Sequence, residues 1–208
     1  MAGVVRAPEP SITEPRRLSR GDRRDALLDA AARLLADHGA NAITMDAVAS
    51  EAGVSRPLLY KHFANRDELV AALVRREVDS LDTEVNDAIE GLVGLEAIVR
   101  ASADAIVEGV VRRGRIVAEL LRAALADEEL RREQQARRRR TRQWYVDLVM
   151  QEYDLDKTDA EAAVAMYFTG LDSMFSSWRS NPTRKEREHL IDVFVCLVTG
   201  GLEALAKR

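Results

Sequence analysis

What most constrains this chain is its punctuation. Glycine and proline, the residues that stop helices and shape turns, are scarce, with 11 and 5 in 208 residues. Gly39, Gly53, Gly91, Gly94, Gly114 and the pair Asn181-Pro182 mark the short gaps. Between them the sequence is rich in alanine and leucine, and its apolar residues recur at helical spacing. In RRDALLDAAARLLADHG, for example, Leu27, Leu28, Ala31, Leu34 and Leu35 share one face of a helix. The expected fold is therefore all-α. Helix starts are expected near residues 22, 45, 56 and 66, and the remainder divides into segments 66–88, 94–111, 115–126, 128–152, 158–179 and 184–206. The run VFVCLV at 193–198 has the β-branched content of a strand. Its flanks, RKEREHLID and LEALAKR, are strong helix formers, so it reads as a helix buried on most sides, with Cys196 a buried structural thiol.

A composition of 47% apolar and 32% charged residues fits a folded chain with a sizeable core. The N-terminus does not pair a charged start with an apolar run, so no secretion signal is expected. The most hydrophobic window is interrupted by Asp192 and Glu203 and reads as too short between charges to span a bilayer. The expectation is a cytoplasmic protein without a membrane partner. Net charge is −4, yet it is uneven: residues 1–66 hold 10 Lys+Arg against 8 Asp+Glu, and residues 67–208 hold 21 against 27. That asymmetry has the sign expected if an anionic partner meets the N-terminal end. Catalysis finds no support. His38, His62 and His189 lack a metal-ligating spacing, no glycine-rich phosphate loop exists, and no Ser or Cys lies in a nucleophile setting. No metal, cofactor or enzymatic activity is expected.

Residues 52–63, AGVSRPLLYKHF, concentrate groups that do not belong in a core. Ala49, Gly53 and Leu59 are spaced so that a small residue lets two helices cross closely, a glycine makes the turn, and a leucine plugs the angle between them. Val48, Val54 and Phe63 complete a small core with the first helix. This is a helix-turn-helix, whose second helix enters the DNA major groove. Thr44 and Ser55 are expected to cap the two helices and to meet backbone phosphates. Tyr60, Lys61, His62 and Arg66 are expected to project donors onto the strands beside the groove. Arg56 can fork onto guanine O6 and N7, while Pro57 and Leu58 offer apolar surface to thymine methyls. Asn65, with Glu68 three positions on, is expected to cap the next helix. Residues 1–20 read as a disordered arm ending in the basic series Arg16, Arg17, Arg20, Arg23 and Arg24, which could follow the minor groove.

TMDAVASEAGVSRPLLYKHFANRDEL resembles the signature of TetR-type transcriptional regulators over about residues 22–70. Thr44, Ala49, Gly53, Val54, Ser55, Leu59, Tyr60, His62 and Phe63 fall where that pattern expects them. The position after Asn65, usually lysine, is Arg66, which keeps the positive charge. The resemblance implies an N-terminal helix-turn-helix domain (residues 21–66) and a larger helical ligand-binding and dimerisation domain (residues 67–208). It also implies a homodimer on palindromic double-stranded operator DNA, a repressor released by a small, largely apolar effector. Two other readings stay open: a DNA-binding regulator without an effector, and a helical interaction module whose basic helix meets acidic protein or lipid.

In the 158–179 helix, Ala163, Met166, Gly170, Ser173, Met174 and Ser177 form a mostly small stripe suited to a dimer interface, paired with helix 184–206 in a four-helix bundle. An effector cavity is implied by the resemblance. Trp144, Tyr145, Leu148, Tyr167, Leu171, Phe175 and Trp178 are its candidate lining groups, although core packing is the more ordinary role of such residues. Seven arginines between 131 and 142 are expected to form a solvated surface paired with Asp127, Glu128, Glu129 and Glu133, or else to meet an anionic effector or DNA.

Overall fold

A computed structural model describes residues 19–113, 127–180 and 183–208. These residues form eight α-helices, one turn of 3-10 helix and no strand. The helices are α1 (Arg20–His38), α2 (Met45–Glu51), α3 (Arg56–Tyr60), α4 (Arg66–Ile89), α5 (Leu95–Arg113), α6 (Glu128–Tyr153), α7 (Lys157–Ser180) and α8 (Arg184–Ala206). The 3-10 turn, Ala40–Ala42, lies between α1 and α2. The expected segment 115–126, the arm up to residue 18 and the Asn181-Pro182 break lie outside the described residues.

Polar side chains set the starts. Ser19 and Asp22 form a reciprocal capping box, with each side chain accepting from the other's backbone N–H. This starts α1 at Arg20, two residues before the position read from sequence, and places Arg20, Arg23 and Arg24 on helix rather than on an arm. Thr44, Asn65, Asp127 and Thr183 each accept a backbone N–H from three residues ahead and so cap α2, α4, α6 and α8. Glu68 does not close a capping box on Asn65. Its carboxylate accepts instead from the N–H of Ala64 at 2.6 Å.

Two apolar cores result. The first joins α1, α2, α3, the opening turns of α4 and Leu130 of α6. The second joins α5, the later half of α6, α7 and α8. The 24 residues of α4 are about 36 Å long and run from one core toward the other.

Ion pairs fasten α4 on several sides. Arg76 bonds Asp29 of α1 and the neighbouring Glu77. Arg113, the last residue of α5 and 8% exposed, donates to Glu77, Ser80 and Glu84 of α4. From α6, Glu133 accepts from Nε and Nη2 of Arg75, while Arg137 reaches Asp79 and Asp82. The arginine-rich run is thus only partly a self-paired surface. Arg132 does pair with Glu128 one turn away, but Arg137 and Glu133 dock α6 on α4, a long-range pairing that local spacing cannot reveal.

α8 is a helix, though it is not buried on most sides. Ile191, Phe194, Val195 and Leu202 face the core, whereas Val193, Cys196 and Leu197 are exposed, Leu197 at 70%. Its neighbours within the chain, chiefly α7 and α5, cover one face only. By length and composition α8 is also apolar enough to cross a membrane, despite Asp192 and Glu203. What the sequence presents as a core helix is therefore a half-covered apolar helix.

The Glu84 carboxyl is held below its ordinary value of 4.5, first by the hydrogen bond from Arg113. Glu84 is thus ionised in the folded state at pH values where the unfolded chain takes up a proton. Its contribution is complete above 4.5 and is lost as the pH falls through the lowered value. Arg113→Met should reduce unfolding free energy by about 2 kcal/mol at neutral pH, the order expected when charge-assisted hydrogen bonds to partly buried carboxylates are lost. In urea titrations the acid-side loss of stability should also be shallower in the variant than in the natural chain.

Candidate nucleic-acid interface and apolar cavity

The turn between α2 and α3 is built by Gly53, whose φ of +64° is in the left-handed region. A Cβ there would meet nothing within 4 Å, so the requirement is conformational rather than one of space. The N–H of Val54 reaches back to the carbonyl of Ala49 at 2.9 Å and locks the turn. Ala49 and Leu59 are buried at the crossing, with Val48 and Phe63 beneath them. α3 therefore rests on a fixed base, and the side chains on its other face point outward.

Ser55, Arg56, Pro57, Tyr60 and Lys61 are exposed; Leu58 and His62 are half-buried. Thr44, also exposed, caps α2 through its Oγ1 to the N–H of Ala47 at 3.1 Å. Ser55 differs from the expected cap. Its side chain makes no capping bond, and its backbone carbonyl accepts from Leu58 and Leu59. Pro57 leaves the N–H of Leu58 as the amide in reach of a capping hydroxyl, and that N–H goes to the Ser55 carbonyl at 2.9 Å. The Ser55 hydroxyl is thus left facing outward. Arg56, its side chain 66% exposed, meets Asp46 of α2 at 2.6 Å, so its guanidinium is oriented before any ligand arrives.

Arg66 is a correction. It does not stand beside the others as a projecting donor. Its Nε donates to the carbonyl of Ile43 at 2.7 Å and its Nη2 to that of Ala40 at 3.0 Å. The residue clamps the first turn of α4 to the connection ahead of α2. The exposed Arg20 and the half-buried Arg23 and Arg24 of α1 add positive charge beside α3 and act on His62. Burial lowers the His62 pKa, and the positive charge of these three arginines lowers it further. Arg24 also lies 4.7 Å over the Phe63 ring. The Ser19-to-Asp22 spacing in the sequence is the signal that could have placed these cations on α1.

A cavity of about 490 Å³ lies among α5, α6, α7 and α8. Of the seven candidate lining residues only Tyr145 and Tyr167 border it. Trp144 is exposed, Leu171 is buried, and Leu148 and Phe175 pack against the second core. Trp178 is buried with its Nε1 donating to the carbonyl of Thr183. The remaining apolar walls include Leu95 and Val99 of α5, Val149 of α6 and Phe194 of α8. Periodicity along one helix cannot show which faces will surround a void. The proposed dimer stripe divides likewise. Met166, Ser173 and Ser177 are exposed, whereas Met174 is buried. Ala163 and Gly170 border the cavity, and a Cβ at Gly170 would come within 3.0 Å of the Phe194 ring. Gly170 therefore serves the α7–α8 crossing within one chain. Among the described residues no His/Cys/Asp/Glu group could hold a metal ion.

Residues 27–73 match the family model described as bacterial regulatory proteins, tetR family. The HTH-type transcriptional activator FasR of Mycolicibacterium smegmatis is 40% identical over 89 residues, 43% of this chain and 41% of FasR. The HTH-type transcriptional repressor KstR2 of Mycobacterium tuberculosis is 35% identical over 88 residues, 40% of this chain and 44% of KstR2. The chain thus spans less than half the length of either relative. A crystal structure of a putative transcriptional regulator from Pseudomonas aeruginosa PAO1 superposes with a TM-score of 0.74, covering 92% of this chain and 96% of that one at 21% identity. The fold likeness extends over the cavity-bearing helices, where the sequence likeness has faded.

The two hydroxyls of the turn separate by measurement. Thr44→Ala should cost about 1 kcal/mol of unfolding free energy as a lost cap, and Ser55→Ala should stay within about 0.5 kcal/mol of the natural chain. Equal losses in chemical denaturation would contradict this assignment.

Proposed function

We propose that this chain, whose residues 27–73 match the family model of bacterial regulatory proteins, tetR family, acts in the cytoplasm as a homodimeric repressor released from operator DNA by a small apolar effector. The observation that carries the reading is the outward face of α3 on its fixed base. Arg56, Tyr60 and Lys61 are exposed there, and the buried Ala49–Leu59 crossing holds them in register. Arg56 is the base reader. Releasing its exposed pair with Asp46 costs about 0–1 kcal/mol, less than the roughly 1–3 kcal/mol that a forked contact to guanine supplies. Thr44, Ser55, Tyr60, Lys61 and His62 meet phosphates, and Arg20, Arg23 and Arg24 widen the positive field around them. Pro57 and Leu58 supply the apolar contact.

A reader of one half-site needs a two-fold partner. The exposed apolar side of α8, with Leu197 and Val193, and the exposed Met166 of α7 supply a face for it. An effector in the cavity between α5 and α8 favours a dimer whose α4 helices have swung, moving the recognition helices away from one DNA turn of ~34 Å. The arginine contacts on α4 make that helix the carrier of the motion. A coupling of about 1–3 kcal/mol lowers operator affinity roughly 5- to 150-fold.

Fluorescence titration with the DNA upstream of its own gene tests the reading. Specific binding at moderate salt is expected, and its absence would refute the DNA-binding role. Arg56→Ala should relax base preference at one position. Lys61→Ala should weaken all sequences alike and reduce the salt slope by about one. Leu197→Glu should give a folded monomer in sedimentation with sharply reduced operator affinity; an unchanged dimer would remove α8 from the interface.

A further inference from the structure

The polar groups beside the cavity are arranged as a one-way chain. The Ser102 hydroxyl donates to the carbonyl of Ile98 at 2.7 Å. With its proton so used, it accepts from the Tyr145 hydroxyl at 2.9 Å. Tyr145 in turn accepts from Tyr167 across 3.5 Å, a distance at which a hydroxyl bond is weak. Every proton in the chain runs toward Ile98, and the last hydroxyl, on Tyr167, has the poorest partner. Tyr167 is 5% exposed, so water at the surface does not make up the deficit. Burial is also the first cause that pushes its pKa up, with Tyr145 adding to it, so the phenol stays protonated and able to donate.

Around this head the walls are hydrocarbon. Lining residues such as Val99, Val149, Phe194 and Leu202 carry no charge, and the one carboxylic acid among the described lining residues, Asp159, occupies the first turn of α7, where a negative charge suits the helix end. Among the described residues no lysine, arginine or histidine lines the space. A carboxylate placed here would lose its hydration without gaining a cation from these walls. The exposed Met166 and Leu197 also border the cavity, so a second copy on that face would close it and leave a charged head group without water.

We infer that the cavity takes an uncharged, mainly hydrocarbon molecule carrying one carbonyl or hydroxyl oxygen, which accepts the proton of Tyr167. This rests on the proposed effector role of the cavity and adds the chemical class of the effector. On binding, the Tyr167 hydroxyl exchanges its long bond to Tyr145 for a short one to the ligand. The bond from Tyr145 to Ser102 remains and holds the Tyr145 ring in place.

The full chain would be titrated calorimetrically with methyl decyl ketone, dodecanol, dodecane, dodecanoate and dodecyltrimethylammonium, and operator release would be followed in parallel. The ketone and the alcohol are expected to bind about tenfold more tightly than dodecane, and dodecanoate more weakly than either. Tyr167→Phe should remove that roughly tenfold preference while leaving dodecane binding unchanged, which also reports that the cavity is intact. Stronger binding of dodecanoate or the ammonium compound would overturn the ligand class but leave an effector cavity standing. So would a ketone preference that survives Tyr167→Phe. If none of the five binds while operator DNA does, the effector role itself falls and the inference falls with it.

Discussion

The arginine contacts along α4 are the constraint on which the rest of the structure depends. At its first turn Arg66 grips the carbonyls of Ile43 and Ala40, so the helix and the base of the helix-turn-helix move as one piece. Further along, Arg113 reaches from the end of α5 to Glu77, Ser80 and Glu84. Between them Arg76 ties α4 to Asp29 of α1. Charge-assisted bonds of this kind are directional, so they fix angles where apolar contact alone would allow sliding. A helix held in this way joins the two cores through one hydrogen-bonded backbone.

Each core also has a different task. The first is small and fully occupied, with Leu59, Phe63 and Leu69 completely buried, and it gives α3 no freedom. The second borders a cavity that is open on one side and leaves one face of α7 and α8 uncovered. Empty space and an unpaired apolar face both cost stability in an isolated chain, since dispersion contacts are missing in one and water is ordered in the other. Their presence together in one half of the molecule is consistent with a half that is completed by other molecules, and the well-packed half with one that acts as a rigid probe.

Arginine accounts for much of the economy of this fold. Where lysine would act as a point charge, the guanidinium forks of Arg66, Arg75 and Arg113 each satisfy two or more acceptors on another element. On α3, Arg56 is exposed and meets Asp46 alone among the described residues, and on α1 Arg20 is exposed while Arg23 and Arg24 are half-buried. Identity alone does not separate a clamp from a probe; the position of the nearest acceptors does.

By itself the sequence determined the helices and the helix-turn-helix, because both rest on local signals. Apolar periodicity, the caps at Thr44 and Asn65 and the left-handed turn at Gly53 act over a few residues, and the spacing of Ala49 and Leu59 already implies the crossing. Tertiary structure decided the rest. Arg66 became a clamp because the carbonyls of Ile43 and Ala40 come within its reach. Tyr145 and Tyr167 border the cavity while Leu171 and Trp178 do not, and Cys196 is exposed, because these outcomes depend on which helices pack against which faces. Such packing is a property of elements distant in the chain, and no repeat along a single helix encodes it.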